Sequence, residues 1–149
     1  MKKIKLIKLI IPALFIAMAS FSGCEKEKID TEPVTIPTTP FILEGCTWNL
    51  MNSDIVYIIN NNEKFANCLA CENAQQIDFD NKTLLLAFGV VPGGVSEVQT
   101  KLTKIGTTYT INVDVLLDFT DIAGDIWRIA LLTNKLTTDD VELNVSYHH

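Results

Sequence analysis

From residue 41 onward the apolar positions fall mostly into short runs of period two, the signature of strands with one wet face. Residues 108–117 set Tyr109, Ile111, Val113, Val115 and Leu117 on one side and Thr110, Asn112 and Asp114 on the other. Residues 96–105 alternate likewise, with Val98 and Leu102 opposed to Glu97, Gln99 and Lys101. Gly106 between these runs predicts a hairpin. Residues 83–91 differ, because Leu84-Leu85-Leu86-Ala87-Phe88 leaves no polar face. That run predicts a central strand covered on both sides. Further strands are predicted at 47–51, 54–60, 126–132 and 141–147. Asn61 or Asn62 is placed to cap one short helix over 63–70, with Phe65 and Leu69 four residues apart on its packing face. Short connections favour antiparallel pairing. The expected fold is therefore mainly β (α+β): an antiparallel sandwich or partly open barrel of about six or seven strands with one short helix. Trp48, Phe65, Leu84, Leu86, Phe88, Ile111, Val113, Trp127 and Leu143 are the expected core.

The first 40 residues follow another pattern. Lys2, Lys3, Lys5 and Lys8 precede an apolar run at 9–19, and Ser20-Phe21-Ser22-Gly23-Cys24 follows it. A basic start, a short apolar stretch and small residues make a secretory leader, and the run is too short to span a bilayer. Residues 25–40 are polar and broken by Pro33, Pro37 and Pro40, which predicts an extended tether. The expected organisation is a leader at 1–23, a lipidated cysteine and tether at 24–40, and a single β-rich domain at 41–149.

Charge narrows the choice of partners. Removing the 23-residue leader from 149 residues leaves 126, enough for one domain with a real core. The chain has 12 Lys+Arg and 18 Asp+Glu; four lysines leave with the leader, so 8 face 18 and the net charge becomes −10. Such a surface is repelled by phosphates, which argues against nucleic acid as a partner. It equally places any membrane contact on a lipid anchor and not on the protein surface.

Three cysteines follow Cys24: Cys46, Cys68 and Cys71. In an oxidising compartment a structural disulfide is expected, from Cys46 to either Cys71 or Cys68, with one thiol left over. Cys68-Leu69-Ala70-Cys71 has the spacing of a redox pair, but it falls at the end of the predicted helix, where the dipole does not favour a thiolate. Zinc would need about four Cys or His ligands. His148 and His149 are the only histidines and read as a solvated tail or an appended remnant, so no His-based triad is expected in the domain body. No metal and no cofactor are expected.

Two stretches are candidate binding loops. Val91-Pro92-Gly93-Gly94 follows the apolar strand, and its glycines permit close backbone approach, with Val90, Val91 and Val95 expected near the surface. Asp118, Asp121 and Asp125 form an acidic loop that loosely imitates a calcium site or a carboxylate pair, and that also reads as a solvated hairpin loop.

The Ser-Gly-Cys24 ending resembles the lipobox of bacterial lipoproteins. It implies cleavage before Cys24 and diacylation of its sulfur, hence a cell-envelope protein held by lipid, on the periplasmic or outer face of the outer membrane. The strand-then-helix opening at 55–65, Ile77-Asp78-Phe79, Gly89 with Gly93-Gly94, and the alternating hairpin after them resemble small Bacteroidetes lipoproteins of uncharacterised function. They also resemble the C-terminal domain of the protease-complex component PrcB, although the position after the paired glycines, aromatic in that family, is Val95 here. The resemblance implies a non-enzymatic module binding an envelope or secreted protein, a protease among them. Glycan or small-ligand binding and a carboxylate-based hydrolase are the alternatives; oligomeric state is left open.

Overall fold

The computed structural model describes residues 32–72, 75–118 and 124–149. Among these, ten strands and one helix follow in order. They are β1 (Val34–Ile36), β2 (Thr38–Pro40), β3 (Cys46–Trp48), β4 (Tyr57–Ile59), α1 (Asn62–Cys68), β5 (Leu69–Cys71), β6 (Lys82–Val91), β7 (Gly94–Ile105), β8 (Thr108–Asp118), β9 (Asp125–Asn134) and β10 (Glu142–His148). One sheet has the order β1-β7-β8-β10, a second the order β2-β9-β6-β4, and β3 pairs with β5 in a separate ribbon. Both sheets end in edge strands, so the sandwich does not close into a barrel.

The alternation seen in the sequence builds the interior between the sheets. Ile111, Val113 and Val115 of β8 and Leu102 of β7 meet Leu85, Ala87 and Val91 of β6 and Trp127, Ile129 and Leu131 of β9. The other face of β6 and β9 is also covered. Leu84 and Leu86 form a second core with Phe41, Ile59, Leu69 and Phe79, against which Trp48, Phe65, Ala130 and Leu132 pack. The unbroken apolar run of β6 thus has its cause: it is an inner strand with the first sheet on one side and α1 with the β3–β5 ribbon on the other. Phe65 stands edge-on to Phe41, with ring centroids 6.4 Å apart.

Buried polar groups are matched. The Thr83 hydroxyl donates to Asn60 Oδ1 at 2.6 Å and accepts from the Leu136 N–H at 3.0 Å. Thr133 Oγ1, also buried, donates to the Pro37 carbonyl at 2.9 Å. Each buried hydroxyl therefore finds a partner inside the fold.

Several expectations need correction. The domain takes in part of the expected tether: β1 pairs with β7 and β2 with β9, so 34–40 straps one side of the sandwich. The prolines hold this segment extended, and extended backbone is what a sheet edge accepts. The strands at 47–51 and 54–60 shrink to three residues each. Asp54, with φ 60, takes the left-handed conformation and leaves Ile55 exposed before β4. The helix starts at Asn62, with the Asn61 side chain accepting from Lys64 N, and ends at Cys68. Trp48, Phe65, Phe88 and Leu143, all expected in the core, are half-buried and not core-sealed. Pairing is not wholly antiparallel, since β10 runs parallel to β8. The chain leaves β8 for the second sheet, forms β9 there and returns beside β8, so β9 serves as the crossover. His148 belongs to β10, opposite Leu116, and is not a loose tail.

Candidate functional site

The first candidate loop and the two described ends of the second, Asp118 and Asp125, meet at one corner of the sandwich. β6 lies in one sheet and β7 in the other, so Pro92-Gly93 carries the chain across. Gly94 then lies opposite Asp118, the last residue of β8. A Cβ on Gly93 would come within 3.3 Å of the Asp118 carbonyl oxygen, so glycine permits this close crossing. Asp125 opens β9 and closes the corner. Its carboxylate accepts from Val95 N at 2.9 Å and from Ile126 N at 2.8 Å. The register of β7 with β8 shifts between Val95 and Glu97, next to the Val95 N–H that this carboxylate holds.

The roles within the corner differ from those expected. Val91 and Gly94 are buried, and Val91 belongs to the main core, so neither is a surface contact. The outward groups are Val90, 57 % exposed, and Pro92. Asp118 is exposed and Asp125 half-buried. Asp121 lies outside the described residues, as does Cys24. The two backbone N–H groups, Val95 before Ile126, hold the Asp125 carboxyl below the usual carboxylate range, and Arg128 adds to this. Asp125 thus pins the starts of β7 and β9 as a hydrogen-bond acceptor.

The sign of the pH effect follows. A carboxyl whose folded pKa is depressed contributes stability above its unfolded value of about 3.9 and loses it as pH falls through the folded value. Acidification below about pH 4 is expected to loosen the corner. Below that pH the protection factors at Val95 and Ile126, rates taken relative to an unstructured chain at the same pH, should fall in the native chain, while Asp125→Ala should show low protection already at neutral pH. Equal protection in both chains would remove Asp125 from this role.

The cysteines divide as one of the two expected pairings has it. Cys46 and Cys71 are register partners in the β3–β5 ribbon and are disulfide-bonded. Cys68 ends α1 as a half-buried thiol. Burial pushes its pKa up, against the pull of Lys64. With Cys71 engaged and Cys68 disfavoured as a thiolate, the CxxC spacing is structural.

Two surface features escaped the sequence reading. Beside the ribbon, Phe41, Leu43, Trp48, Arg128, Ile129 and Ala130 line much of a groove of about 650 Å³. Arg128 is the chain's one arginine, which is the signal that could have marked the place. On the outer face of the first sheet, His148 Nε2 lies 3.3 Å from Asp114 Oδ1, and Glu97, Gln99 and Leu116 complete a shallow polar depression. Alternation had placed Glu97, Gln99 and Asp114 outward, but it left His148 as a tail and could not make β8 and β10 neighbours. Among the described residues no three His, Cys, Asp or Glu side chains are grouped to hold a metal ion. No described helix is long and apolar enough to cross a membrane. Compared with known proteins, the chain matches no family model, no curated protein and no solved structure.

Proposed function

We propose that this chain is an envelope module, held to the membrane by lipid on Cys24, that binds another envelope or secreted protein through the corner where β6 passes into β7. A protease is one partner class the reading covers. The observation that supports it is the fixing of the corner. Gly94 is paired with Asp118, Asp125 grips Val95 and Ile126, and Val90 and Pro92 stand outward on this held backbone. A preordered loop loses less conformational freedom on binding, so a small apolar contact there is worth more than on a mobile loop.

The full chain, immobilised and incubated with envelope and secreted proteins, tests the reading. The native chain is expected to retain one stoichiometric protein. Val90→Glu with Pro92→Glu should weaken that retention at least about tenfold, the scale of one lost anchoring contact, with melting unchanged. Bulky residues at Gly93 or Gly94 would serve less well, because both sit against β8 and would disturb the fold. A partner held equally by the variant would move the contact elsewhere. A native chain that retains no protein would shift the search to glycans and small ligands.

A further inference from the structure

The four sheet edges are not guarded alike. β1, β2 and β4 are each three residues long, and β2 ends in Pro40; short strands and proline are common ways of blunting an edge. β10 is seven residues long, with no proline, lysine or arginine, and its register with β8 runs unbroken from Glu142 to His148. Its inward side chains Leu143 and Val145 pack on the main core yet are only half-buried. Among the described residues no strand pairs with its outer side, and such an edge offers backbone groups and unfinished apolar cover to an added strand.

The order of residues along β10 says which strand fits. Antiparallel pairing of β10 with itself, centred on Val145, sets Glu142 opposite His148, Leu143 opposite Tyr147, and Asn144 opposite Ser146. Acid faces imidazole, apolar faces apolar, and amide faces hydroxyl. Glu142 and His148 both stand on the outer face of the sheet, where Glu142 Oε2 accepts from Thr110 and His148 contacts Asp114. The pairing thus brings a carboxylate to each imidazole from the other copy, as an ion pair or a hydrogen bond. Shifting the register by one residue would put core-facing side chains opposite outward ones.

We infer that β10 pairs antiparallel with β10 of a second copy about a two-fold axis at Val145, joining two four-stranded sheets into one of eight. The contact is isologous, as a two-fold dimer requires; its His148 end lies two residues along β8 from Asp118, but it draws on none of the corner groups Val90, Pro92 or Asp125, so it stands or falls independently of the proposed partner site.

The test uses the full chain in the envelope of a bacterial host, in a Cys68→Ser background. Val145→Cys places two thiols across the axis, where facing Cβ atoms of an antiparallel pair are about 5 Å apart, within reach of a disulfide after small adjustment. Diamide oxidation is expected to give a species of doubled mass, reversed by reductant, whereas Asn112→Cys at the middle of β8 should give none. In detergent the native chain should sediment as a dimer. Val145→Lys, which sets like charges face to face, should sediment as a monomer. No doubled species from Val145→Cys, equal crosslinking from Asn112→Cys, or a native monomer would each overturn the pairing. So would crosslinking of the Val145→Cys chain to a different protein, which would assign the edge to that partner instead.

Discussion

Replacing Cys46 with alanine is expected to lower the unfolding free energy by about 3.5 kcal/mol, the chain-entropy value for closing a loop of about 25 residues. For a domain of this size that corresponds to a fall in melting temperature of about 15 °C. The loss should concentrate in one layer. The bridge fastens the β3–β5 ribbon, and the ribbon brings Trp48 and Leu69 against Leu84 and Leu86. The core between the two sheets shares none of these residues. Amide protection should therefore fall in β3, β5 and α1 before it falls in β8 or β9. Cys71→Ala should cost as much as Cys46→Ala. Cys68 cannot take over, because it lies three residues along from the position opposite Cys46, about 10 Å away at strand spacing, and a disulfide tolerates about 7 Å between Cα atoms. Melting curves of the two single variants, with and without reductant, decide this. A Cys71→Ala chain that kept native stability and lost it on reduction would show that Cys68 had replaced the missing partner.

The same cysteines show where sequence reading reaches its limit. Compartment and count pointed to a disulfide from Cys46, but Cys68 and Cys71 could not be separated by spacing alone. The choice is made by the helix ending at Cys68 and the next residue entering a strand, a change too abrupt for any periodic signal. Periodicity worked where strands were long. The alternation at 108–117 named the faces of β8, and the apolar run at 83–91 announced a strand covered twice. β1 to β5 have three residues each, and three residues carry no period. Pro33, Pro37 and Pro40 gave the correct extended conformation but could not tell that sheet edges would capture it. Parallel pairing of β10 depends on β9 crossing to the other sheet, a tertiary fact with no local trace. At the corner, Gly93 and Gly94 come beside Asp118 and Asp125, while Asp121 lies outside the described residues. What the sequence hid was which side chains point in, because Val90-Val91 reads equally well with either valine buried.

Gly89→Ala is expected to destabilise the fold by about 3 kcal/mol, the upper part of the range for overpacking a closed core. Gly89 and Trp127 are register partners on β6 and β9, and the glycine is needed for space, since its φ is not left-handed. A Cβ there would lie 2.5 Å from Trp127 Nε1 and 2.6 Å from Cε2 and Cζ2, so the ring must move. It has little room to do so. Trp127 is 1 % exposed among the core residues of both sheets, and its Nε1 donates to the Tyr147 hydroxyl at 3.3 Å. That bond ties β9 to β10, so displacement of the ring would also disturb the edge strand proposed to pair with a second copy. The diagnostic is a double-mutant cycle. Trp127→Leu alone removes part of the ring's burial and should cost about 3 kcal/mol. It also vacates the space a methyl at position 89 would enter. Gly89→Ala with Trp127→Leu should therefore cost little more than Trp127→Leu alone, a coupling of about 2 kcal/mol or more, where independent sites would add. Urea unfolding of the four chains measures it. Additive losses would mean that Gly89 is required by its own backbone and not by the indole it faces.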